Sequence, residues 1–100
     1  MIRGSATDRA GATVPVQSIK ACVVYDAGSG RIHHHHRVLT LVGGYEPSEA
    51  EMEQAALHRV AARRSGHPGG TLEVLHIAHD AMHPGALYRV DVSKRALVAG

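Results

Sequence analysis

The sequence predicts an α+β fold of ββαββ order, an antiparallel sheet of four to five strands with one helix packed on one face. Three observations carry that expectation. Residues 19–26 and 86–92 alternate apolar and polar side chains with the period of a strand. Residues 46–66 carry the spacing and end signals of a helix. Short runs rich in Gly, Asp and Ser separate these segments, and such residues turn a chain sharply.

Residues 1–16 mix Gly, Ser, Ala, Thr and charged residues without periodicity. They are expected to form a flexible N-terminal arm ahead of a single domain over 17–100. The first strand follows, with Ile19, Ala21, Val23 and Tyr25 alternating with Lys20, Cys22, Val24 and Asp26. The turn DAGSGR places Gly30 where a positive φ closes a hairpin. The return strand, 32–42, contains four consecutive histidines and ends at Gly43-Gly44.

Pairing Asp26 with Arg31 sets the expected register: Tyr25 opposite Ile32, Val24 opposite His33, Val23 opposite His34 and Cys22 opposite His35. His34 and His36 then share the helix-packed face with Ile19, Val23, Ile32 and Val38. His33 and His35 share the other face with Cys22 and Arg37. A slip of one residue exchanges the two faces.

The helix has the clearest signals. Ser48 and Glu51 are spaced as a capping box, and Pro47 stands just outside it. Glu49, Glu51 and Glu53 lie in the first turns and Arg63 and Arg64 in the last, both favourable to the helix dipole. Gly66 is the expected stop. Met52, Ala55, Ala56, Leu57 and Val60 form the expected buried stripe, and its alanines allow close approach to a sheet. Residues 67–70 read as a loop. Residues 71–79 read as a strand with apolar side chains on both faces, hence central. A turn or a single helical turn over DAMHPG, the alternating strand 86–92, the turn SKR and a short last strand complete the chain. The stretches VYDAGSGRI and RVDVSKRAL share one layout, with Asp26 and Asp91 each placed to bond the amides of its own turn.

Composition bounds function by exclusion. Eleven Lys and Arg against nine Asp and Glu give a net charge of +2, too little to predict a nucleic-acid partner. One cysteine rules out an intrachain disulfide. No apolar stretch approaches the length of a membrane span, and the first residues lack a secretory signal, so a cytoplasmic location is expected. GSG at 28–30 leads into a strand rather than a helix, which removes the phosphate-loop reading. No acid–base or nucleophile constellation is visible, and the chain is not expected to be an enzyme.

Two functional readings remain. The chain has no Phe and no Trp, so its core is aliphatic and thin for its size. One helix covers one sheet face, leaving Val24, Leu39, Leu41, Leu75 and Ile77 to be buried against a partner. The leading expectation is therefore a self-associating structural or protein-interaction module, a homo-oligomer built through the open sheet face or strand edges. The alternative is a metal-binding protein holding zinc, nickel or copper in the His33–His36 cluster, with His33, His35 and Cys22 as ligands. Histidines at i and i+2 reach one metal from one strand face, and a thiolate across the ladder completes a soft donor set. His79 and His83, with Asp80 at the strand exit, form a weaker candidate; His76 joins them only if residues 76–83 are helical.

Overall fold

A computed structural model describes residues 5–7, 13–63 and 70–100. It is α+β, with one helix and antiparallel strands. The order is β1 (Ser5–Thr7), β2 (Thr13–Asp26), β3 (Ile32–Leu41), α1 (Glu49–Arg63), β4 (Leu72–Ile77), β5 (Tyr88–Asp91) and β6 (Ala96–Ala99). The strands do not form a single sheet. β2 lies between β3 and β4 and also pairs with β1, whereas β5 and β6 form a separate hairpin.

β2 begins inside the expected arm: residues 13–16 are strand, and Ser5–Thr7 pairs with Thr13–Pro15. The other arm residues lie outside the described residues. So do Arg64, the expected stop at Gly66 and most of the loop that follows.

The central strand is β2, not the 71–79 segment. Ala21, Cys22, Val23, Val24 and Tyr25 are all buried, because the strand is covered on both faces. Cys22 and Val24 pack beneath Met52, Ala56 and Val60 of α1, with Val38, Leu57, Leu72 and Val74 around them. Val23 and Tyr25 point the other way, into a second core with Val90, Ile32, Leu75, Ile77 and Met82. β4 is an edge strand, and its two apolar faces serve these two cores. Ala55 lies outside the buried stripe and is exposed.

The helix starts where its capping box predicts. Ser48 N–H donates to Glu51 Oε1 at 2.8 Å and Glu51 N–H to Ser48 Oγ at 3.1 Å. A cap of this kind stabilises a helix by about 1 kcal/mol.

The β5–β6 hairpin forms a third layer, on the sheet face away from α1. Gly30 makes this docking possible. Its φ is +81°, and Val90 N–H donates to its carbonyl at 2.8 Å. A side chain at Gly30 would run into the Val90 carbonyl. Arg95 locks the other end of the hairpin. Its guanidinium donates to Glu73 Oε1 and to the Tyr25 hydroxyl, both at 3.1 Å, and to the Val74 carbonyl at 3.2 Å. The Val74 carbonyl lies on the outer edge of β4, so Arg95 also blunts that edge. The two expected Asp turns form alike. Asp26 Oδ2 accepts from Ser29 N–H at 2.9 Å, and Asp91 Oδ1 from Lys94 N–H at 3.1 Å.

Candidate functional site

The β2–β3 register decides which histidines can act together. Tyr25 pairs with Ile32 as expected, but an irregularity follows, with His33 as the extra residue, so His34 pairs with Val24, His35 with Val23 and His36 with Cys22. A bulge of one residue exchanges the faces of everything beyond it. The expected set of His33, His35 and Cys22 is therefore not assembled. Cys22 faces α1 with His34 and His36, while His35 lies on the opposite face with Val23. His79 is exposed in the turn after β4, and His83 is exposed with its backbone N–H donated to the Tyr88 hydroxyl at 2.9 Å. β4 is a strand through Ile77, so the helical alignment of His76, His79 and His83 does not form. Among the described residues, no three His, Cys, Asp or Glu side chains are grouped to hold a metal ion.

A polar row lies along the helix-facing side of the sheet. Cys22 is its centre, with His36 opposite on β3 and His76 opposite on β4. His76 Nε2 and Glu53 Oε2 of α1 are 2.7 Å apart. Burial, reinforced by the Glu53 carboxylate, pushes the Cys22 thiol up to about 11. It stays protonated at neutral pH, which suits a packed core side chain rather than a nucleophile or a metal ligand.

At the β3 end of this row, Arg63 donates from Nη2 to His34 Nδ1 at 3.2 Å and to the His33 carbonyl at 3.4 Å. His34 Nε2 and His36 Nδ1 are 3.3 Å apart, with ring centroids at 5.5 Å. Because a guanidinium only donates, His34 Nδ1 is an acceptor and Nε2 carries the proton. Hydrogen bonding therefore runs one way, from Arg63 to His34 to His36. Burial, then Arg63, His36, Arg59 and His35, holds the His34 pKa below its ordinary value. Burial and Arg59 do the same for His36.

On the opposite face His35 has its pKa lowered by burial, then by Arg37 and His36, and its Nε2 is buried without a hydrogen-bond partner among the described residues. A groove of about 240 Å³ opens beyond the end of β4, lined by Ile19, Lys20, Ala21, Glu49, His76, Ile77, Ala78 and His79. The groove is small, and two of its polar lining residues are engaged: Lys20 Nζ pairs with Glu46 at 3.0 Å and His76 with Glu53 at 2.7 Å.

No family model, curated protein or solved structure matches the chain. Sequence reasoning missed the roles of Glu53, His76, Arg59 and Arg63. Their positions follow from β4 pairing with β2 and from the path of α1 across the sheet, both long-range facts.

Proposed function

We propose that the chain is a small self-associating structural or protein-interaction module, a homo-oligomer formed through the distal half of the β2–β3 ribbon. The observation that carries this reading is an uncovered apolar surface. β2 runs for 14 residues, which at strand rise is roughly 47 Å. The helix is only 15 residues long, roughly 22 Å. The ribbon therefore extends past both covering layers.

Its helix-side surface is closed by the loop before α1. Glu46 there accepts from Ser18 Oγ at 2.9 Å and Gln17 Nε2 at 3.2 Å, and pairs with Lys20. The other surface presents Ile19, Leu39 and Leu41, with Val42 just beyond the strand. Leu39 is 54% exposed and Val42 56%. A two-stranded ribbon is marginal when one apolar side faces water, and a second copy of the same surface supplies the missing cover. The open area is smaller than a single-layer fold would leave. Val24 is buried under α1, and Leu75 and Ile77 pack against the β5–β6 layer.

Light scattering at micromolar concentration tests the reading. The native chain is expected to be a dimer or larger, and Leu39→Asp a monomer with unchanged circular dichroism. A monomeric native chain would overturn it.

No helix among the described residues is long and apolar enough to cross a membrane. The metal-binding alternative gains nothing from the geometry, because two of its three ligands, Cys22 and His35, lie on opposite faces.

A further inference from the structure

We propose that Arg59, Arg63, His34 and His36 form a binding site for a phosphate-type oxyanion, on the helix-facing side of the sheet beside β3. Arg59 and Arg63 are one helical turn apart, so both guanidinium groups lie on one stripe of α1. Neither belongs to an ion pair among the described residues, where the side chains paired with carboxylates are Lys20, His76 and Arg95. Two adjacent arginines thus stand without a carboxylate beside two imidazoles.

The imidazoles discriminate between a cation and an anion. A metal held by His34 Nε2 would require a proton on His34 Nδ1, donated outward to an acceptor. Arg63 occupies that position with a donor of its own, which excludes this arrangement while the contact stands. The same contact orients the chain of hydrogen bonds so that His36 Nδ1 accepts and His36 Nε2 carries the proton. His36 Nε2 is not buried, and it makes no hydrogen bond among the described residues. A cationic guanidinium therefore feeds a row of donors that ends in a free N–H near the Arg59 charge.

An oxyanion satisfies all of these groups together. Two positive charges without counter-charge match a dianion, and a tetrahedral phosphate presents oxygens in several directions to Arg59, Arg63 and the His36 N–H. A carboxylate offers one charge and two oxygens in one plane. Charge-assisted bonds to guanidinium are the strong members of this class. The site faces away from Leu39, so anion binding and self-association can be followed separately.

The test is a titration of the full chain with inorganic phosphate at constant ionic strength, followed by the NMR signals of the His34 and His36 rings and the Arg59 guanidinium. Saturable shifts with phosphate, and none with chloride or acetate at matched strength, are expected. Arg59→Gln, an exposed substitution, should weaken binding by roughly tenfold, the scale of one lost charge-assisted bond. His36→Gln, which keeps an N–H donor, should bind better than His36→Ala. Unshifted Val23 and Val90 methyl signals certify that each variant is folded. A parallel titration with a phosphoserine peptide identifies the source of the phosphate: tighter binding than inorganic phosphate assigns the site to a phosphate ester, and equal or weaker binding to the free anion. Shifts that grow linearly without saturation, match those from chloride, or persist unchanged in Arg59→Gln would overturn the proposal.

Discussion

Acidification should begin to destabilise this protein through its histidine strand before its carboxylates start to be protonated. His34, His35 and His36 all have lowered pKa values, with burial the largest cause for each. The unfolded chain therefore takes up protons, near the ordinary imidazole value of 6.5, that the folded chain resists. Stability is complete above that value and falls as pH drops from it towards the lower folded values. Each proton bound only by the unfolded state contributes about 1.4 kcal/mol per pH unit, so three histidines set a ceiling of about 4 kcal/mol per pH unit. Partial exposure of the rings brings the slope below that ceiling. Asp26, Glu46 and Glu51 have lowered pKa values from the hydrogen bonds they accept, and their losses begin only in the carboxylate range. As pH falls, the histidine losses therefore begin before the carboxylate losses.

The assay is urea unfolding followed by circular dichroism, since the chain has no tryptophan. It is repeated at steps from about pH 7.5 to about pH 5.5, the range in which imidazoles titrate. His35→Leu dissects the effect. His35 Nε2 is buried without a partner among the described residues, and an unsatisfied polar group costs roughly 1–3 kcal/mol. The variant should be more stable at neutral pH and lose up to about 1.4 kcal/mol per pH unit from the slope. A stability that stays flat or rises on acidification would refute the reasoning. So would a His35→Leu variant with the native slope and lower stability.

Other consequences follow from single contacts. Gly30→Ala combines a positive φ with collision against the Val90 carbonyl; it should cost on the order of 2–3 kcal/mol in urea unfolding. Arg95→Ala removes the guanidinium from Tyr25, Glu73 and Val74 together. Hydrogen exchange should then speed up across residues 88–99 while α1 keeps its protection. Cys22, buried with its thiol pushed up to about 11, should resist alkylation in the native protein and react fully in urea. Ser48→Ala removes one half of the capping box and should lower stability by about 1 kcal/mol, read from the urea midpoint.

The parts of the fold that the sequence made legible are those fixed by neighbours in the chain. Ser48 and Glu51 find each other three residues apart, and Met52, Ala56 and Val60 lie on one stripe of the helix whatever it packs against. The β2–β3 register is a different kind of fact. Four consecutive histidines carry no alternation, so nothing in them specifies which face each takes, and one inserted residue at His33 moves Cys22 from His35 to His36. The central strand had a local signal that alternation concealed. Residues 21–25 are an unbroken apolar run, Ala-Cys-Val-Val-Tyr, which suits a strand covered on both faces better than one facing water. The second cover, β5–β6, depends on the absence of a side chain at Gly30 and on Arg95 reaching Glu73 across 22 positions of sequence. Periodicity describes a strand's own faces and says nothing about whether it joins a sheet or stacks upon it. The same limit applies to the candidate site. Arg63 reads only as a charge favourable to the helix dipole, and Arg59 one turn before it carries no local signal, until the sheet beneath them is known.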